Sequence, residues 1–119
     1  MSMHATLAAA APQHRGANLT GAGMVIAEAA AKRLGLGLVY GMTTLRSLYV
    51  QRAFERAGWK LIGIAPGYDH EMVAPGVVKR VFEAVYARVL VDEADLVIPQ
   101  TKDMTAHTRA MFELIQAPE

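Results

Sequence analysis

The residues best suited to chemistry lie between positions 13 and 20, where a Gly-bearing turn leads into an Ala-rich segment. A turn at the start of a helix presents bare backbone N–H groups, and the helix dipole adds partial positive charge there. An anion such as a phosphate can therefore bind at this position. The candidate binding residues are Gln13, His14, Arg15, Gly16, Ala17, Asn18, Leu19 and Thr20.

Such a turn needs a strand before it and a helix after it. Residues 5–11 form a short apolar run, which predicts a strand. Between residues 19 and 34 the apolar positions recur at spacings of three and four, which predicts a helix, and Gly35 is suited to ending it. A second strand is predicted over residues 36–42. The first third of the chain therefore has the order strand, helix, strand.

A second helix is predicted to end near Ala57, followed by Gly58 as its C-terminal residue. Three hydroxyl residues are candidates for its N-cap: Thr43, Thr44 and Ser47. Four residues form its predicted buried stripe: Val50, Ala53, Phe54 and Ala57. Residues 59–65 are predicted to form a third strand, broken by Pro66 and Gly67.

The region 77–91 fits both a strand and a helix, and its β-branched and aromatic residues favour the strand. A loop is predicted over residues 92–104. Thr105 is predicted to cap a final helix whose apolar side carries Ala110, Met111, Leu114 and Ile115. The resulting order, strand, helix, strand, helix, strand, strand, helix, predicts an α/β fold with a mixed, partly parallel sheet.

Composition excludes several classes of protein. The 119 residues suit one domain, and 53% apolar residues argue against intrinsic disorder. Without Cys there are no disulfides and no thiolate metal ligands, and a net charge of +1 gives no general attraction to nucleic acid. No apolar run reaches membrane-spanning length. The N-terminus lacks the basic region that is typical of a secretory signal, so we expect no such signal. We therefore expect a cytoplasmic protein without nucleic-acid or membrane partners.

Three motifs occur in an informative order between about residues 5 and 91. The first is Gln13-x-x-Gly16-x-Asn18, the second is the helix end Arg33-Leu34-Gly35-Leu36, and the third runs from Gln51 through Gly58-Trp59 to Leu61-Ile62-Gly63. Together they resemble the GCN5-related N-acetyltransferase family. In that family the first motif reads Arg or Gln, two residues, Gly, one residue, Gly or Ala, and it binds the pyrophosphate of acetyl-CoA.

The resemblance implies the C-terminal portion of such an enzyme, without the N-terminal strands and helices of the fold. Residues 1–91 would form a partial acetyl-CoA-binding domain, and residues 92–119 a loop and helix extending it. Either the chain is a fragment, or it is a short member that assembles with a second chain. The predicted first strand would then be an unpaired sheet edge, so we expect a homodimer formed through that edge.

The implied activity is transfer of an acetyl group from acetyl-CoA, as co-substrate, to an unidentified small-molecule or peptide amine. Two features depart from the family pattern: Asn18 replaces Gly or Ala, and Phe54 replaces a Tyr that protonates the leaving thiolate. A catalytically inert module that binds coenzyme A or dimerises is therefore the alternative, and a plain α/β interaction domain is a third. The resemblance identifies neither a catalytic base nor a catalytic acid.

The run Asp69-His70-Glu71 has the residue types of a metal site. Adjacent residues of an extended segment point to opposite sides, and no second His lies at ligand spacing. We therefore expect no metal. We expect Tyr68 and Glu71 to lie in a solvated loop, and a position facing a substrate at the end of the sheet is the alternative.

Overall fold

A computed structural model of the chain describes residues 2–5 and 19–117. In this part the elements are β1 (Ser2–Ala5), α1 (Leu19–Arg33), β2 (Leu38–Thr44), α2 (Leu48–Arg56), β3 (Lys60–Ala74), β4 (Val77–Val89) and α3 (Ala106–Gln116). Two short 3-10 turns, at Glu93–Asp95 and Thr101–Asp103, interrupt the predicted loop before α3. The predicted order of strands and helices is confirmed, and the ambiguous region is a strand over residues 77–89.

The four described strands form one mixed sheet in the order β1-β2-β4-β3. β1 pairs with β2 in parallel, whereas β4 is antiparallel to both β2 and β3. The prediction of a partly parallel sheet is therefore confirmed. Within the described residues, β1 and β3 are the two edge strands.

Helix α1 connects the two parallel strands and contacts both of them. Its end at Gly35 has the predicted left-handed backbone, with φ of +70°, and the Leu36 N–H donates to the Ala31 carbonyl. Only residues 34–37 separate α1 from β2, so α1 runs antiparallel to β2. The first turn of α1 therefore lies at the carboxyl ends of β1 and β2.

The hydrophobic core lies between the sheet and helices α1 and α2. Ser47 is the N-cap of α2, and its hydroxyl accepts a hydrogen bond from the Val50 N–H at 3.3 Å. The ring of Phe54 stacks on Tyr86 with centroids 4.7 Å apart and packs against Trp59 at 5.2 Å. The buried residues of this core are Met24, Ala31, Leu36, Val39, Val50, Ala53, Phe54, Trp59, Ala84 and Tyr86.

Arg88 joins three elements on the helix-covered face of the sheet. Its Nε lies 3.0 Å from a carboxylate oxygen of Glu28 on α1, and its Nη1 donates to the Gly58 carbonyl at 3.0 Å. Gly58 ends α2 with φ of +84°, and a Cβ built there would collide with Arg88 Nη1. Gly58 is therefore favoured by its backbone angle, and any side chain there would also have to displace the flexible end of Arg88.

This geometry predicts different costs for two glycine substitutions. Gly35→Ala should lower the free energy of unfolding by about 1–2 kcal/mol, the cost of a left-handed residue, because nothing lies within 4 Å of its added Cβ. Gly58→Ala should lower it further, because the new methyl group also displaces Arg88. Urea denaturation measures both, and an Arg88→Ala background should remove most of the difference. Equal losses in the wild-type background would contradict the role given to Arg88.

The structure corrects two predicted strand boundaries. β2 occupies residues 38–44 rather than 36–42, because Leu36 is still bonded to the last turn of α1. β3 does not break at Pro66 but continues to Ala74, with a shift of register between Ala65 and Asp69. Pro is tolerated there because β3 is an edge strand and because a bulge absorbs the extra residues. The predicted strand over residues 5–11 lies, apart from Ala5, outside the described residues, and β1 precedes it.

The β3–β4 hairpin is longer than the strand beside it. β2 ends at Thr44, which lies opposite Glu83, so residues 77–81 of β4 pair with β3 alone. We call this outer part, residues 69–81, the hairpin ribbon. A side-chain contact links it to the end of β2, since Arg46 Nη1 lies 3.2 Å from Glu71 Oε2.

Helix α3 lies beside the edge strand β3. Thr105 caps it as predicted, with its hydroxyl accepting from the Thr108 N–H at 3.2 Å. Its predicted apolar side is not buried, because Met111 and Leu114 remain 51% and 71% exposed.

Candidate functional site

The structure describes only the end of the predicted phosphate-binding segment. Gln13, His14, Arg15, Gly16, Ala17 and Asn18 lie outside the described residues, while Leu19 and Thr20 are the first two residues of α1. The amides of a first helical turn have no carbonyl partner within the helix, so they are available to an anion. This first turn of α1 lies at the carboxyl ends of two parallel strands.

Three carboxylates lie on one face of the β3–β4 hairpin, and we call them the acidic row: Asp69, Glu71 and Glu83. Asp69 lies opposite Val81, and Glu71 lies opposite Lys79. Opposite residues in an antiparallel pair share a face, as do residues two apart in one strand. Because Val81 and Glu83 are two apart, all three carboxylates project from the same face, at intervals of roughly 7 Å along the strands.

Glu83 is buried in the sheet without a hydrogen-bond partner for one of its oxygens. Its exposed fraction is 8%, and its Oε2 has no partner in the described part of the chain. Burial raises the pKa of the Glu83 carboxyl, and the negative charges of Asp69 and Glu71 raise it further. An unpaired buried carboxyl costs stability, so it is a feature that calls for a functional reason.

The surroundings of the acidic row leave two of its members without a cation. Arg46 forms an ion pair with Glu71, and Lys79 lies opposite Glu71 in the ribbon. Among the described residues, neither Asp69 nor Glu83 lies in an ion pair with a basic side chain. Asp69 Oδ1 accepts only the neighbouring backbone N–H of His70, at 2.7 Å. The negative charge is therefore concentrated between Asp69 and Glu83.

Sequence reasoning considered Glu71 but missed Glu83. The prediction that adjacent residues of Asp69-His70-Glu71 point to opposite sides is confirmed, since all three lie in β3 with His70 opposite Arg80. The expected loop is wrong because the segment lies in β3, whereas Tyr68 is exposed to solvent as expected. The alternation Val81, Glu83, Val85 was the available signal, because a carboxylate between two β-branched residues of a strand shares their face.

The position of Phe54 is filled by a packing residue. Its hydrocarbon ring has no acidic proton to donate. The ring is also fully buried between Tyr86 and Trp59, so it has no access to solvent. The hydroxyl of Tyr86 donates to Glu55 Oε2 at 2.7 Å. The described residues therefore place no free phenol at the position where the family carries its Tyr.

A separate apolar cavity of about 400 Å³ lies between α3 and β3. Its lining includes Leu61, Ile64, Met111 and Leu114. It lies along the β3 edge of the sheet, with two strands between β3 and β1, and so it is remote from the start of α1.

The described part of the chain contains no group of three or more His, Asp or Glu side chains arranged to hold a metal ion. None of its helices is both long and apolar enough to span a membrane.

Comparison with known proteins gives matches to solved structures. No family model and no curated protein sequence matches the chain. The polyamine N-acetyltransferase of Drosophila melanogaster, an enzyme that catalyses the formation of N-acetylagmatine, is 27% identical over 73% of this chain, with a TM-score of 0.56. The chain has a partial N-acetyltransferase fold. The resemblance predicted from the three motifs is thereby confirmed.

A second solved structure supports the same partial N-acetyltransferase fold. It is a mutant of agmatine N-acetyltransferase in its apo form, 26% identical over 73% of this chain, with a TM-score of 0.55. The chain spans less than half of both enzymes, 43% of the first and 44% of the second.

Proposed function

We propose that this chain is the acetyl-CoA-binding part of an N-acetyltransferase that acetylates an amine. The observation that carries the proposal is the β1–α1–β2 unit, within a partial N-acetyltransferase fold. The first turn of α1 lies at the carboxyl ends of two parallel strands. The segment Gln13-x-x-Gly16-x-Asn18 directly precedes that turn. This is the arrangement that a diphosphate requires.

Within the proposal, the amides of residues 15–20 bind the pyrophosphate through charge-assisted hydrogen bonds, and Arg15 adds a side-chain contact. Residues 8–11 pair with the amides of the pantetheine arm, and a strand N–H polarises the thioester. Bound acetyl-CoA supplies the activated acetyl group. The chain contributes mainly by holding the amine and the thioester in attack geometry.

The acceptor is proposed to be a small-molecule amine. The two solved relatives act, by their names, on polyamines and on agmatine. The negative charge of the acidic row suits a cationic acceptor of that kind.

A catalytically inert module that binds coenzyme A is the second candidate. The burial of Phe54 favours it, because the position that would protonate the leaving thiolate holds only a hydrocarbon ring. This candidate predicts binding of coenzyme A without release of its thiol.

Stabilisation by coenzyme A tests the binding proposal that both candidates share. At a coenzyme A concentration one hundred times its dissociation constant, the free energy of unfolding should rise by about 2.7 kcal/mol. Urea denaturation with and without ligand measures this gain. Thiol release from acetyl-CoA across a panel of amines then separates the enzyme from the inert module. The absence of any gain at millimolar acetyl-CoA would overturn both candidates.

The assembly state and the location are proposals as well. We propose a homodimer formed through the edge of the sheet at β1, which is an edge strand of the described sheet. Sedimentation velocity at micromolar concentration distinguishes it from a monomer. A cytoplasmic location remains a proposal from composition.

A further inference from the structure

The burial of Glu83 is the starting point. Its Oε2 has lost contact with solvent, and no donor in the described part of the chain replaces the lost water. Buried carboxylates are normally hydrogen-bonded or ion-paired because their desolvation is costly. A positively charged group from outside the described residues would satisfy this oxygen.

The position of Glu83 relates it to the proposed acetyl-CoA site. Glu83 lies opposite Thr44, the last residue of β2. The first turn of α1 lies at this same end of the sheet. Glu83 projects from the face opposite to that of its neighbour Ala84, which packs in the core with α1 and α2. An acceptor bound to Glu83 would therefore approach from the sheet face that α1 does not cover.

We propose, on the basis of the proposed function, that Glu83 and Asp69 bind an acceptor amine that carries a second cationic group. Glu83 holds the nitrogen to be acetylated, because it lies beside β2. Asp69, one step farther out on the hairpin, holds a second ammonium or guanidinium group. Glu71 is already ion-paired with Arg46 at 3.2 Å, so the other two carboxylates of the row remain for the ligand.

The charge balance favours a dication over a simple amine. A single ammonium group at Glu83 would leave the carboxylate of Asp69, at an offset of roughly 7 Å, available to a second cation. A flexible carbon chain bearing a cation at each end reaches both carboxylates and buries little polar surface. Exposure of Asp69 on the ribbon makes its contribution smaller than that of the buried Glu83.

Agmatine and butylamine are matched probes, because butylamine is agmatine without its guanidino group. Calorimetric titration of the full chain saturated with coenzyme A measures the affinity of each. Glu83→Gln should lower the affinity for agmatine about tenfold or more, as expected for removing one partner of a buried charge pair. Asp69→Asn should lower the affinity for agmatine about threefold, as expected for a more exposed pair, and leave the affinity for butylamine unchanged.

Glu93→Gln is the matched control, because Glu93 is exposed in the turn after β4, outside the acidic row. It should leave the affinity for agmatine unchanged. Equal agmatine affinity in wild type, Glu83→Gln and Asp69→Asn would overturn the inference, as would an equal loss in Glu93→Gln. If Glu83→Gln does not fold, the contrast between the two probes in Asp69→Asn decides. Absence of coenzyme A binding would instead overturn the proposed function.

The pH profile of agmatine binding provides a readout that a structural role would not change. The affinity should fall as the pH drops through the pKa of Glu83, because the protonated carboxyl no longer attracts a cation. Burial, Asp69 and Glu71 raise this pKa, so the fall should begin at a higher pH than for an ordinary Glu. The cations Arg46 and Lys79 face the same region. In Glu83→Gln the affinity should not fall in this pH range. An unchanged fall would contradict the role given to Glu83.

Discussion

Phe54→Ala is expected to lower the free energy of unfolding by about 3–5 kcal/mol, the usual cost of removing a buried aromatic side chain. Phe54 is fully buried, stacks on Tyr86 with an interplanar angle of 6°, and packs against Trp59. The deletion leaves a cavity at the centre of the core and removes both ring contacts. The free energy of unfolding of a domain of this size is only about 5–15 kcal/mol in total, so the variant should be close to unfolding.

Phe82→Ala is the matched control for this experiment. Phe82 is in the same sheet but 53% exposed, and surface substitutions usually change stability by no more than about 0.5 kcal/mol. Urea denaturation midpoints compare the two variants directly. Similar losses in both would show that Phe54 is not the centre of the core.

Gly16→Asp is expected to abolish binding of coenzyme A. The added carboxylate would occupy the space that the proposed pyrophosphate needs and would repel its negative charge. At a coenzyme A concentration one hundred times its dissociation constant, the free energy of unfolding of the wild-type chain should rise by about 2.7 kcal/mol. That of the variant should not change at the same concentration. Two residues separate Gly16 from the start of α1, so its effect on the helix itself should be small.

Gly63→Asp is the control for Gly16→Asp. Gly63 lies on β3, its backbone φ is not in the left-handed range, and a Cβ there meets nothing within 4 Å. The same negative side chain at Gly63 should leave the gain from coenzyme A intact. Undiminished binding by Gly16→Asp would place the diphosphate elsewhere and remove the basis of the acyltransferase proposal.

Local signals explain why the helices were predictable. Gly35 and Gly58 end α1 and α2 with the left-handed angles that their positions suggested, and Ser47 caps α2 as one of three candidates. The buried stripe of α2 was also correct for Val50, Ala53 and Phe54. Each of these features depends on residues within a few positions of one another.

Features that depend on strand order were not predictable in the same way. Pro66 suggested the end of a strand, and only the edge position of β3 allows that strand to continue. Glu83 is buried because β4 lies between β2 and β3, and the chain order alone does not reveal that arrangement. The acidic row likewise depends on a register shifted by the bulge after Ala65.

The hairpin ribbon has a mechanical consequence for the acceptor site. A two-stranded ribbon is intrinsically pliable, because it lacks the lateral support of a third strand. Asp69 lies on this pliable part, whereas Glu83 lies at its base beside β2. Bending of the ribbon would change the spacing between the two carboxylates, and the Arg46–Glu71 ion pair opposes that bending. The length of the preferred dication would therefore depend on how strongly the Arg46–Glu71 ion pair restricts the bending of the hairpin ribbon.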